Sequence, residues 1–410
     1  MSSIIPLFPN SDLSPKAQPK FSALSKHWGL DNDITFLNHG SFGACPIPVI
    51  KKQRELQDQM ESEPVRFMIR ELEQLWDAAR AATAKFLGTD SKDLVFVKNT
   101  TMGVNTVFHS LRWNRGDEVL ITDHTYGACL NTIRYYAELN GYVIKVVKVP
   151  FPMKNEQEMI MALDSGITSK TKLLFIDHIT SASGTVFPVE KIVPHFKEKG
   201  IDVFVDGAHA PGMLDLNIDA LGADYYVGNC HKWICSPKGS AILYVHPAKQ
   251  KNIGPLQVSH IYDRSTDWAK QFFWPATDDY TNYLSVPEAI KFMGSLFPEG
   301  WKALREHNRG LILHARKIIS RIFDFPLPVP DSMTGSIGNI CLGKAELPSY
   351  GFNFIHPVQD MLYNKYKIEV PIIIFPRENP MLWVRPAAQA YNDISQYEYL
   401  AQALKEIIKR

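Results

Sequence analysis

Four short stretches carry residue types that could do chemistry together. Asp206 closes the apolar run of VFVDGAHAPG (203–212). A carboxylate there is costly unless something pairs with it; a cationic heteroaromatic nitrogen would serve, and so would a helix cap or a structural salt bridge. Lys232, in GNCHKWICSPKG (228–239), follows a predicted strand and stands between His231 and Trp233. An apolar, aromatic setting favours the neutral amine that a Schiff-base nucleophile requires; the competing reading is a solvated surface lysine. VKNTTMGVN (97–105) sets Asn99, Thr100 and Thr101 at a predicted helix start, with Gly103 where backbone can come close. Free N–H groups and two hydroxyls there make a phosphate cup, or a capped helix with no ligand. Arg385, in MLWVRPAAQAYN (381–392), lies in an apolar stretch read as a strand. Its guanidinium would grip a carboxylate through two parallel bonds or close an interdomain salt bridge.

The elements that must position these residues alternate. Strands are predicted over 93–99, 117–123, 142–149, 172–178, 201–207, 223–229 and 240–245, with helices over 100–111, 126–140 and 189–199. Strands this apolar, separated by helices, predict an α/β fold with a mainly parallel sheet covered on both faces. Ligands of such sheets bind at the carboxyl ends of the strands, where all four stretches fall. Before them, 50–87 is helical with a break near Pro64. After them come a helical stretch over 286–322, a run of prolines (Pro326, Pro328, Pro330), and a strand, helix, strand, strand, helix pattern from Ser336. Three parts are expected: an arm over 1–34 holding Pro6, Pro9, Pro15 and Pro19, a large domain over 35–290, and a smaller α+β domain over 291–410.

Composition narrows the partners. Among 410 residues, 44 Lys+Arg nearly balance 43 Asp+Glu, which gives no electrostatic reason to expect nucleic acid or an anionic membrane. No apolar run approaches the ~20 residues that span a bilayer, and MSSIIPLFPN lacks the basic region of a secretory signal. The five cysteines, odd in number and scattered, predict buried thiols in a reducing, cytoplasmic compartment.

FLNHGSFGACP (36–46), KNTTMGVN, TDHTYGA (122–128), VDGAHAPG, GNCHKW, GPLQVSH (254–260) and RPAAQAYN together resemble the fold-type I pyridoxal-phosphate enzymes of the class V aminotransferase group, in its isopenicillin N epimerase-like branch. The resemblance runs from Phe36 to Asn392 and includes the 26-residue step from Asp206 to Lys232. It implies a seven-stranded sheet in the large domain, pyridoxal 5'-phosphate as cofactor and an amino acid as substrate. Lys232 would hold the cofactor and move the Cα proton, and Asp206 would keep the ring nitrogen protonated. His209 would bond the phenolic oxygen or position the ring, where relatives often have Gln. Thr100 and Thr101, helped by Asn229 and His231, would bind phosphate, and Ser181 in HITSASGT would bond O3'. His124 or Tyr126 would stack on the ring, Tyr126 being favoured in this branch. Arg385 would take the substrate carboxylate, with Asn38 and His39 lining the substrate side. A homodimer with shared sites is implied too, Thr277 reaching the partner's phosphate, although Ala276 stands where the motif has glycine.

The resemblance leaves the outcome open among epimerisation, C–S lysis and transamination, with epimerisation of a carboxylate-bearing amino acid leading and a C–S lyase acting on a cysteine conjugate or sulfoxide next. VPIIIFPRENP (370–380) lacks the nucleophilic cysteine of the desulfurases, which argues against persulfide chemistry. Outside this chemistry, a metallohydrolase would use His124, His178, His209 and His231, but no HExxH pair supports it. A nicotinamide oxidoreductase would need a GxGxxG turn, which is missing. A dead scaffold would have no use for both Lys232 and Asp206.

Overall fold

The computed structural model describes residues 19–263, 267–347 and 355–408; residues 1–18, the greater part of the expected arm, lie outside the described residues. The described chain opens with a 3-10 turn, Ala23–His27, then strand β1 (Thr35–Phe36) and a one-turn helix α1 (His39–Phe42). Helices α2 (Ile47–Ser62) and α3 (Leu72–Leu87) follow, joined by a π turn at Arg66–Glu71, close to the break that Pro64 predicts.

The alternating region is β2 (Leu94–Val97), α4 (Thr100–Ser110), β3 (Glu118–Thr122), α5 (Gly127–Asn140), β4 (Val143–Val147), α6 (Glu156–Ser165) and β5 (Thr171–Asp177). It continues through α7 (Val189–Glu198), β6 (Asp202–Asp206), α8 (Ile218–Leu221), β7 (Tyr225–Asn229), α9 (Cys230–Trp233) and β8 (Ala241–Val245). Helix α6 has no strong sequence signature. Only Met159 and Leu163 are buried on it, and its start is fixed by Asn155, whose side chain accepts from the Glu158 amide at 3.1 Å.

Seven strands make one sheet in the order β2-β8-β7-β6-β5-β3-β4. The pairs β3–β4, β3–β5, β5–β6 and β6–β7 are parallel, and β8 runs antiparallel to both β2 and β7. Alternate residues feed two cores. Leu174 and Ile176 of β5 face one, with α3 and α7; Leu173 and Phe175 face the other, with α4 and α5. Burial on both faces is why these strands read as unbroken apolar runs.

Beyond the sheet come α10 (Thr281–Leu284), α11 (Val286–Gly294) and α12 (Trp301–Phe323). The helical stretch expected over 286–322 is therefore two helices. Gly300, at φ +66° just before α12, sits in a conformation that only glycine adopts freely. The C-terminal layer holds β9 (Ile340–Lys344), α13 (Pro357–Tyr366), β10 (Ile368–Glu369), β11 (Ile372–Phe375), β12 (Met381–Val384) and α14 (Ile394–Ile407). Strands β11, β12 and β9 form an antiparallel sheet, against which α12, α13 and α14 pack around Ile312, Leu362 and Leu400. Strand β1 pairs in parallel with β10, and Leu37 joins this same core, so residues 35–37 belong in space to the C-terminal layer. The boundary expected after residue 290 falls inside α11.

Two glycines let the site close up. Gly43 has φ +71°, and a Cβ there would fall 2.1 Å from the His231 carbonyl oxygen, so α1 rests directly on α9. A Cβ on Gly103 would meet Val227 at 2.6 Å, so α4 lies close on β7.

Candidate active site

The carboxyl ends of β5, β6 and β7, with α1, the start of α4, Tyr126 and Arg385, enclose a cleft of about 420 Å³. Thr100, Thr101, Tyr126, Ser181 and Asp206 line it, as do His209, Asn229, His231, Lys232 and Arg385. Ten residues scattered over nearly 300 positions thus meet in one place.

At its centre, Lys232 Nζ lies 3.0 Å from His209 Nε2. The Trp233 indole N–H points at His209 Nδ1 from 3.4 Å. With Nδ1 accepting, the neutral ring carries its hydrogen on Nε2 and can donate it to the lysine lone pair once the amine is neutral. Burial pushes His209 well below its ordinary value, which keeps the ring neutral, and draws the Lys232 amine down to about 8. Lys232 is thus not the solvated surface lysine that sequence alone allows. Asp206 is buried, its carboxylate accepting from the Ala208 amide at 2.9 Å and from the Cys129 thiol at 3.2 Å. Burial pushes the carboxyl upward from its ordinary value, while the Ala208 amide, the Cys129 thiol and the Lys232 charge pull the other way.

At one end, the start of α4 faces the cleft. Asn99 caps the helix, accepting from the Met102 amide at 2.8 Å, and Asn229 Oδ1 accepts from the Thr100 amide at 3.0 Å. The Thr100 hydroxyl is buried with no partner, an unmet demand a phosphate oxygen would satisfy. His231 pairs through Nδ1 with the Ser240 carbonyl at 2.9 Å, leaving its other nitrogen uncommitted.

At the other end stands Arg385, one residue past β12 and 6 % exposed. It donates to the Ser181 carbonyl and, at 3.1 Å, to Ser41 Oγ. Burial draws it down to about 10, the Tyr126 phenol opposing. Among the described residues it has no carboxylate partner, so the interdomain salt bridge is not formed. A buried cation without a counter-ion calls for an anionic ligand.

Three expected residues stand elsewhere, and Thr277, expected only at a partner's site, is likewise outside this cleft. His124 does not reach the cleft. Its Nδ1 pairs with Ser183 Oγ at 3.0 Å, and its ring is enclosed by Phe151, Phe187 and Phe375; of the two stacking candidates only Tyr126 borders the cleft. His39 lies behind the cleft wall, bonded to Tyr391 Oη and the Lys232 carbonyl, each at 2.9 Å, so it braces the lysine backbone instead of lining the substrate side. Asn38 is turned to Glu369, donating at 2.9 Å, and accepts from Ser41 at 2.5 Å. Gly40, Ser41 and Phe42 form that wall instead. Thr277 is exposed and outside the cleft, beside the 2.5 Å Asp278–Lys98 ion pair. The four histidines weighed as a metal site do not converge: His178 bonds Tyr226, His124 bonds Ser183, and the other two have the partners given above. Sequence reading missed Ser41 and Asp177. Only the Arg385 bond and the strand pairing, both tertiary, mark them.

A family model described as "Aminotransferase class-V" matches residues 43–342. Isopenicillin N epimerase of Amycolatopsis lactamdurans is 30% identical, covering 93% of this chain and 96% of its own. A probable chloroplastic L-cysteine desulfhydrase of Arabidopsis thaliana is 27% identical over 92% of this chain and 84% of its own. Among solved structures, a C-DES mutant with glycine covalently linked to its pyridoxal-phosphate cofactor superposes with a TM-score of 0.77 at 22% identity, over 92% of this chain and 98% of that one. That likeness speaks for the fold.

Proposed function

The chain belongs to the aminotransferase class-V family of pyridoxal-phosphate-dependent enzymes, and from that premise we propose that it acts at the α carbon of an amino acid whose carboxylate Arg385 holds, with epimerisation as the leading outcome. The cofactor fits the residues present. An unpartnered buried hydroxyl at a helix start suits its phosphate, a buried carboxylate suits its ring nitrogen, and a lysine already half-neutral near pH 8 suits its aldehyde. When bound, it supplies an electron sink for the bond broken at the α carbon. The observation that carries the substrate class is the buried, counter-ion-free guanidinium of Arg385 in the same cleft as Lys232.

Each residue has a task in this reading. Arg385, steadied by Ser41 and the Ser181 carbonyl, fixes the substrate by its carboxylate. Lys232 would hold the cofactor and is the amine placed to take the α proton, its basicity already lowered by burial. Asp206 keeps a proton on the ring nitrogen. Tyr126 borders the cleft with its phenol pushed upward by burial, so it keeps its proton and can deliver it. Epimerisation requires that proton to reach the α carbon on the face opposite to the one it left, and Tyr126 is the cleft residue proposed to supply it. Delivery to a β-sulfur leaving group would instead complete C–S lysis, the second reading, which the desulfhydrase relative supports equally. Purified protein incubated with chiral amino acids and with cysteine derivatives separates them. Racemisation without pyruvate is expected; abundant pyruvate without racemisation would end the epimerase reading.

The same reading includes a cytoplasmic homodimer. Phe42, on the cleft wall, is 74 % exposed, an aromatic surface a second subunit would cover. Thr277 would then reach the partner's phosphate. The five cysteines are free thiols, as in a reducing compartment.

A further inference from the structure

A second buried carboxylate stands beside Asp206 and has no task in the scheme above. Asp177 ends β5 as Asp206 ends β6, and the two are in register across the parallel pair. Neighbouring strands lie about 4.8 Å apart, and residues in register project to one face. That face is known here: Leu173 and Phe175 of β5 and Phe204 of β6 all enter the core under α4 and α5. Asp177 lines the cleft, is 2 % exposed, and its Oδ2 has no hydrogen-bond partner.

Among the described residues neither carboxylate forms an ion pair. Asp206 has its amide and thiol donors. Lys232 attracts it across the cleft, and Cys129, a neutral thiol, feels both acids. Burial first, then the Asp206 charge, pushes the Asp177 carboxyl well upward. Two carboxylates this close in a dry pocket do not both ionise unless a cation joins them. Both carboxylates line the cleft that holds Lys232.

We propose that Asp177 is a second cofactor-binding carboxylate, sharing with Asp206 the hold on the protonated ring nitrogen of pyridoxal phosphate, so that this nitrogen keeps its proton to higher pH than Asp206 alone would allow. This rests on the pyridoxal-phosphate reading above.

The test compares wild type with Asp177→Asn, which removes the charge and keeps the shape. Three quantities are measured: the ring-nitrogen chemical shift against pH in holoenzyme loaded with ¹⁵N-labelled pyridoxal phosphate, the dissociation constant of the cofactor, and the melting temperature of the apoprotein. The ring-nitrogen midpoint is expected to fall by about one pH unit, a tenfold loss of proton affinity. Cofactor affinity should fall by about tenfold. The apoprotein should melt no lower than wild type, because a buried acid whose Oδ2 has no partner has been replaced by a neutral amide of the same shape. Asp177→Glu, which keeps the charge, should restore the midpoint. If Asp177→Asn does not fold, Asp177→Ser takes its place. An unchanged midpoint in a charge-removing variant overturns the proposal, including the case where affinity and apoprotein stability fall together, which marks a structural role. A wild type that takes up no pyridoxal phosphate overturns the parent reading and this one with it. A wild type that binds it, beside an indistinguishable variant, overturns this proposal alone.

Discussion

Lys232 shows how a single amine is made reactive. It stays within 3.0 Å of a histidine that burial keeps neutral, and burial draws the amine itself to about 8. Below that pH the amine is protonated and cannot attack an aldehyde; above it the lone pair is free. Uptake of pyridoxal phosphate by the apoprotein should therefore speed up as pH rises through about 8. Lys232→Ala should leave no absorbance that borohydride can fix, and retention of a borohydride-fixed adduct in that variant would reassign the lysine. Arg385 invites a parallel test. Arg385→Lys keeps the charge but loses the fork that spans Ser41 and the Ser181 carbonyl. A charge-assisted hydrogen bond is worth ~1.5–3 kcal/mol, so kcat/KM for a carboxylate substrate should drop ~10–100-fold, mostly through KM. Equal rates on the substrate and its carboxamide would show that Arg385 does not read the carboxylate.

At the scale of elements, the site depends on how closely short helices approach one another. Helix α1 can rest on α9 only because residue 43 is glycine; in Gly43→Ala the new Cβ would clash with the His231 carbonyl in a backbone conformation alanine adopts poorly. Strain and displacement together should cost ~1–3 kcal/mol, seen as a lower melting temperature and weaker cofactor retention. A variant as stable and as tightly loaded as wild type would show that α1 can move away freely. Elements like these also set the limit of sequence reading. The sheet was legible because its central strands, buried on both faces, read as largely apolar runs. Thr100, Asp206, Lys232 and Arg385, which the structure brings to one cleft, were legible as candidates because each sits inside a motif contiguous in sequence. Asp177 was not, because it ends the strand KLLFIDH as any polar residue might end a strand, and only pairing with β6 sets it beside Asp206. His124 and Tyr126 are two residues apart on one turn. What separates them is an aromatic enclosure of Phe151, Phe187 and Phe375, residues far along the chain. Ser41 takes the place expected for Asn38 for the same kind of reason, since Glu369 draws the asparagine aside.

Across the whole molecule, buried groups set opposite limits on stability at the two ends of the pH scale. His39 and His124 are pushed by burial down to about 3, and His231 to about 4. A histidine held neutral by the fold stabilises fully above its unfolded value of about 6.5 and loses that contribution as pH falls through the window below, at ~1.4 kcal/mol per pH unit for each. Asp177 and Asp206 have raised values, so their contribution is present at low pH and is lost as pH rises. The apoprotein is therefore limited on both sides, by different residues in different places. A cofactor bound in the cleft brings a cationic nitrogen to the carboxylates, but it does not touch His39, which is locked between Tyr391 and the Lys232 carbonyl, nor His124 in its aromatic enclosure. The histidines therefore weaken apoprotein and holoprotein alike as pH falls, whereas the gap between their melting temperatures should be small at acid pH, where both carboxyls are protonated, and widen as pH rises and they ionise. Protection by the cofactor that is as large at acid pH as at alkaline pH would mean that relief of the two buried carboxylates does not account for it.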